Sequence, residues 1–206
     1  MKPLARKIYL ASKSPRRREL LRQIGVDFEL LLLRSDGPRG ADVTEEVKPG
    51  EAALDYVARV ANEKAAFAWN LVRQRRLMPR PVLAADTTVC LDGTILGKPA
   101  SRAEAVDMLR RLAGRTHQVL TSIAVHYTDM AEQLTQVSEV RLGALSEASI
   151  QAYCATQEPY DKAGGYGIQG LAALFVEHID GSHSGIMGLP LFETAQLLRK
   201  AGLPLP

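Results

Sequence analysis

Ile8-Tyr9-Leu10-Ala11 is a short apolar run that opens directly onto a helical pattern, and this junction restricts the fold more than any other feature. The run reads as a buried strand. Behind it Leu20, Leu21 and Ile24 recur at helical spacing, and Gly25 stands where a helix would end. Ser14 is a good N-cap, and Pro15 is tolerated in a first turn because its missing N–H has no helical partner to lose. A strand that turns at once into a helix is the unit from which α/β proteins are built.

The alternation continues along the chain. A second strand is expected at Phe28–Leu33, then a polar loop from Arg34 to Gly50 that reads as mobile. Helical periodicity runs from Glu51 to about Arg76, and a strand is expected at Val82–Ala85. Asp92-Gly93-Thr94 between Val89–Leu91 and Ile95–Leu96 signals a hairpin. A helix over 102–113 and strands at His117–Tyr127 and Gln133–Leu142 follow. A helix at Glu147–Thr156, a strand at Ala173–Ile179 and a last helix at Leu191–Ala201 complete the pattern. Neither a repeat nor a low-complexity linker divides it, so residues 1–206 read as one domain.

Composition excludes several classes. A net charge of +3 on 206 residues suits an anionic ligand but not a protein that coats nucleic acid. No run of about 18 apolar residues is present, so no membrane span is expected. The start, Met1–Lys7, is followed by too little apolar sequence for a signal peptide. Cys90 and Cys154 are too few and too far apart for a disulfide framework, and read as reduced structural residues of a cytoplasmic protein. His117, His126, His178 and His183 lack metal-binding spacing, and Trp69 reads as core or interface. The basic stretch Arg73–Arg80 reads as a solvated helix end, where cations suit the dipole.

Three segments carry chemistry. Ser12-Lys13-Ser14-Pro15-Arg16-Arg17-Arg18 combines hydroxyls and cations at a strand-to-helix turn, where unpaired N–H groups and the helix dipole attract phosphate. It is not a Walker A loop, since no Gly-x-x-x-x-Gly-Lys-Ser/Thr occurs. Asp86, expected at the end of an apolar strand, suits a divalent cation or a proton from water. Gly97-Lys98-Pro99 returns from the hairpin and brings Lys98 towards Asp86; a structural Asp–Lys ion pair is the plain alternative. Asp161–Gly170 has four glycines, a density that means positive φ or close approach of the backbone. Within it Gln169 offers donor and acceptor groups to a base edge.

These segments, with Glu63-Lys64-Ala65, Gly114, His117, Thr121 and Gly188-Leu189-Pro190-Leu191, together resemble the Maf-like nucleotide pyrophosphatase family from about residue 8 to residue 198. The resemblance implies an elongated mixed sheet flanked by helices, with two lobes around a central cleft, as in the Maf/ITPase-like fold. It also implies a cytoplasmic homodimer that hydrolyses nucleoside triphosphates to monophosphate and pyrophosphate with Mg²⁺ or Mn²⁺. Asp86 matches the catalytic acid/base position. Ser12, Arg17, Lys64 and Lys98 match positions lining the phosphate cleft, and Ser14 belongs to the same turn. Arg16, Thr87 and Gln169 match positions tied to base choice, in the pattern of the dTTP and UTP branch. The loop Arg34–Val43 is longer than usual in the family, and Glu45 of the pair Glu45-Glu46 matches the site glutamate.

The expected chemistry follows. Asp86 activates a water, directly or through a metal that Glu45 helps to hold, for in-line attack on the α-phosphorus. Arg17 and Lys98 absorb the charge of the leaving pyrophosphate. Two other classes compete: a nucleotide-binding regulator of cell division or septum formation with incidental turnover, and an RNA-binding module, which would need a basic face.

Overall fold

The computed structural model describes residues 7–34 and 40–205. Its seven strands form one mixed sheet, and the helices pack on both faces of it. The first strand, β1 (Lys7–Leu10), leads into α1 (Pro15–Gln23), with Ser14 as N-cap accepting from the Arg17 amide. β2 (Asp27–Leu30) lies parallel to β1, so the expected strand to Leu33 stops earlier. Beyond Leu30 the chain leaves the edge of the sheet and only Leu31 stays buried. Residues 35–39 of the polar loop fall outside the described residues.

The long helix α2 (Ala53–Gln74) turns its alanine-rich stripe, Ala61, Ala65 and Ala68, onto the sheet. Small side chains there let the helix sit close to β3 (Val82–Leu91). β3 is one unbroken strand of ten residues, where two short ones were expected, so Asp86 sits mid-strand and not at a strand end. Its ladder to β5 (Thr116–Tyr127) runs from Val82 to Cys90 without interruption and carries the polar residues through the core. β4 (Thr94–Leu96) closes the expected hairpin, with Asp92 and Gly93 at positive φ.

α3 (Arg102–Leu112) follows a Ser101 cap. β6 (Met130–Leu142) and β7 (Val176–Asp180) extend the antiparallel half of the sheet, and α4 (Glu147–Cys154) packs beside α3. The strand expected at Ala173–Ile179 begins later, because Leu171–Phe175 form a 3-10 turn. The single-turn α5 (His183–Ile186) and the terminal α6 (Leu191–Lys200) complete the order.

The sheet order is β2-β1-β3-β5-β6-β7, with β4 also on β3. One flank of β3 is therefore shared. β1 covers it only at Val82 and Leu83, and β4 only at Val89–Leu91. Between them, among the described residues, the strand has no strand neighbour on that side, and the two lobes part there. Period-two alternation sorts the side chains of β3. Val82 and Ala84 join the α2 core, whereas Leu83 and Ala85 join the core under α1 and α6. Trp69 meets Tyr127 edge-on at 6.0 Å, and Cys90 and Cys154 are buried and unpaired.

Candidate active site

A cleft of about 820 Å³ opens where the sheet parts. Ser12, Ser14, Arg16, Arg17, Glu45, Lys64, Asp86, Thr87, Lys98 and Gln169 all lie on its wall. The structure thus brings these ten candidate site residues into one cleft. Their mutual contacts differ from those expected in one respect. The cation on Asp86 is Lys64 of α2, whose Nζ is 2.8 Å from Oδ1, whereas Lys98 takes a separate place on the wall.

Lys64 also holds Glu45, with its Nζ 2.8 Å from Oε1, so one ammonium joins two carboxylates from distant segments. Glu45 is therefore the acid that Lys64 holds, although Glu46 lines the same cleft. Asp86 is 7% exposed and Lys64 is 14% exposed at the side chain, so their attraction is little screened. Burial alone would raise the Glu45 carboxyl. The charge of Lys64, aided by Lys98 and Arg17, overcomes it and holds the group below the usual carboxylate range.

The strand-to-helix turn is arranged around Arg17. Its guanidinium donates from Nε to the Gly188 carbonyl at 2.7 Å, from Nη1 to Ser12 Oγ at 3.1 Å and from Nη2 to Thr87 Oγ1 at 3.2 Å. All three acceptors are neutral, so the cation keeps its charge for an anionic ligand. Burial presses its pKa down and Asp86 opposes this, but a guanidinium stays protonated throughout. Ser12 Oγ also accepts from the Ser14 amide at 3.2 Å, and Ser14 Oγ accepts from the Arg17 amide at 3.4 Å. Two backbone donors of the turn are thus already satisfied internally. The turn's attraction for an anion therefore rests on the charge of Arg17 and the helix dipole more than on a row of free amides.

The glycine-rich segment forms the opposite wall. Gly164 has φ 69° and packs on Val89, and Gly167 lies against the stem of Lys162. These close approaches account for the glycine density and leave Gln169 exposed at the cleft. Asp161 accepts from Arg16 Nη1 at 2.8 Å and from Lys162 Nζ at 2.6 Å, tying α1 to this wall. Sequence reasoning did not single out Asp161, nor Tyr56, which lines the cleft from the second turn of α2. The available signal for Tyr56 was its place eight residues before Lys64, on the same side of the helix.

Two carboxylates and a lysine facing a half-buried arginine, in a parted α/β sheet, define a protein of the class that binds polyanions beside an acidic centre. The family described as Maf-like protein matches residues 7–201, and this chain belongs to it. The dTTP/UTP pyrophosphatase of Aromatoleum aromaticum is 55% identical over 207 residues, covering 100% of both chains. That of Ralstonia nicotianae is 55% identical over 199 residues, covering 96% of this chain and 95% of its own. That of Bordetella avium is 52% identical over 200 residues, covering 97% and 98%. A solved structure of the Staphylococcus aureus Ham1 protein overlaps 66% of this chain and 71% of its own, at 18% identity and a TM-score of 0.43, a likeness too slight to carry an argument.

Proposed function

We propose that this chain hydrolyses dTTP, UTP or modified pyrimidine nucleoside triphosphates to the monophosphate and pyrophosphate, as the names of its relatives say of them. The observation that carries the reading is the joining of Asp86 and Glu45 through Lys64, beside Arg17, in one cleft. A triphosphate is strongly anionic, and Arg17 and Lys98 neutralise it at the end of the cleft where phosphate must lie. Asp86 takes a proton from a water whose oxygen attacks the α-phosphorus in line. The bond from that phosphorus to the bridging oxygen breaks, and the oxygen leaves with pyrophosphate. Gln169 and Arg16, on the wall tied together through Asp161, face the base end, whereas Thr87, matched to a base-choice position, acts from the phosphate end through its bond to Arg17.

Asp86 and Glu45 fit a divalent cation. Both are hard oxygen donors held towards one point, and each gives Lys64 one oxygen and keeps a second. Among the described residues no group of three or more His, Cys, Asp or Glu side chains forms a full cage. One or two carboxylates completed by substrate phosphate oxygens is the donor set that Mg²⁺ prefers. Bound there, Mg²⁺ or Mn²⁺ would supply charge neutralisation and a more acidic water. The reading extends to residues 1–206 as one domain, acting as a cytoplasmic homodimer. The single sheet supports the one-domain reading, and no described helix is long and apolar enough to cross a membrane.

The decisive experiment is pyrophosphate release from UTP by wild type and Asp86→Asn. The expected loss is about 10²- to 10⁴-fold, the usual worth of a general base. Hydrolysis by Asp86→Asn at the wild-type rate would overturn the mechanism. Binding without steady turnover by the wild type would favour the regulatory class instead.

A further inference from the structure

The loop before α2 was expected to be mobile, yet its last residues are fastened to the helix. The Tyr56 hydroxyl donates to the Glu45 carbonyl at 3.0 Å. Arg59 Nη2 donates to the Glu46 carbonyl, also at 3.0 Å. Two successive carbonyls are thus held by side chains one turn apart on α2. Lys64, two turns beyond Tyr56, holds the Glu45 carboxylate from the same side.

The anchors are themselves rigid. Arg59 grips Glu51 with two bonds, Nε to Oε1 at 2.6 Å and Nη2 to Oε2 at 2.9 Å, and the two side chains are largely covered, at 14% and 9% exposure. Glu51 in turn accepts from the Lys48 amide at 3.0 Å. The Arg59 guanidinium lies 5.7 Å from the centre of the Tyr56 ring. Burial and the charges of Asp86 and Glu45 raise the Tyr56 phenol, so it stays protonated and remains a donor.

Glu45 and Glu46 are adjacent acids, and a slip of one residue would exchange them at Lys64. Fixing both carbonyls removes that freedom and counts the register back from α2, so the long segment upstream has no say in it. We infer that Tyr56 and Arg59 are positioning residues that select Glu45 over Glu46 as the second acid of the site. The inference rests on the pyrophosphatase reading.

The test uses Tyr56→Phe alone and in an E45Q background, with R59Q/E51Q as a paired change that leaves neither partner's charge unpaired. Turnover of UTP is measured together with amide hydrogen exchange over residues 45–51. Tyr56→Phe is expected to lower kcat roughly tenfold with KM within about twofold, because a misplaced acid hurts chemistry more than binding. In the E45Q background the same change should alter kcat by less than about twofold, the signature of action through Glu45. Exchange at 45–51 should quicken in both Tyr56→Phe and R59Q/E51Q. E46Q should leave the wild-type rate unaltered but lower the residual rate of R59Q/E51Q, in which either acid can reach Lys64. Equal factors for Tyr56→Phe with and without Glu45, or unchanged exchange, would overturn the inference. A wild type that releases no pyrophosphate would sink the functional reading instead, and the exchange arm would still decide whether the lock exists.

Discussion

Arg17 and Thr87 are joined by a 3.2 Å hydrogen bond that begins a relay through the core. Thr87 Oγ1 lies 2.9 Å from Thr121 Oγ1, and Thr121 donates to the Gly185 carbonyl at 2.7 Å. Since Thr121 gives its proton to that carbonyl, Thr87 donates to Thr121 and accepts from Arg17. Its hydroxyl proton is thus committed within the protein.

Thr87→Val keeps the shape and removes the relay, so Arg17 loses one of its three fixed contacts. A hydrogen bond to a charged group contributes about 1.5–3 kcal/mol, so kcat/KM for UTP should fall about ten- to a hundredfold. Thr87→Ser should keep most of the rate. Steady-state kinetics of the two variants checks this.

Lys64→Met should move the acid limb of the pH–rate profile upwards. Burial already favours a protonated Glu45, and Lys64 is the main charge that keeps its carboxyl low. Without the ammonium the carboxyl titrates at higher pH, and activity that needs the anion is lost earlier on acidification. An unmoved acid limb, measured with kcat/KM against pH, would count against Glu45 as an essential anion.

His117 is 3% exposed, and burial pushes it down to about 4 while its Nε2 lies 2.6 Å from the Tyr166 hydroxyl. The unfolded chain, with an ordinary histidine, binds the proton first as pH falls. The associated stability is therefore whole above about 6.5 and is lost progressively towards the folded value, to a total of roughly 3 kcal/mol. His117→Gln should flatten that part of the stability curve, as followed by urea denaturation between those pH values.

Asp161→Asn should loosen base discrimination more than phosphate binding. The carboxylate joins Arg16 to the wall that carries Gln169, and amidation weakens both ionic contacts. The ratio of kcat/KM for UTP over purine triphosphates is expected to drop severalfold, the share of about 1 kcal/mol that a partly exposed pair contributes. A substrate panel with an unchanged ratio would remove Asp161 from base choice.

Much of this was legible in the sequence because it is local. The cap at Ser14, the hairpin at Asp92-Gly93 and the stripe of α2 depend on neighbours within a turn or two. What escaped depends on distant partners. Asp86 looked like a strand end because a carboxylate rarely sits within a buried strand, yet β5 pairs with β3 past it and Lys64 neutralises it. That the lysine is Lys64, and that Tyr56 fastens Glu45, follows from how α2 lies across the sheet, which no spacing along the chain encodes. The strand expected from Ala173 fails for a nearer reason. Glu158, well upstream, accepts from the amides of Leu171 and Ala172 and favours a tight turn there.

The parting of the sheet beside β3 has one more consequence. Asp86 and Thr87 are consecutive residues of a strand, so their side chains leave on opposite faces, Asp86 to Lys64 under α2 and Thr87 to Arg17 under α1. In a sheet without a break such neighbours inhabit separate compartments, and no single molecule can meet both. Here a ligand can straddle the bare rim of the strand like a rider, one side answering to each residue. Two adjacent codons thereby govern both a reactive centre and its electrostatic counterpart, and a one-residue insertion between them would turn both side chains to the same face.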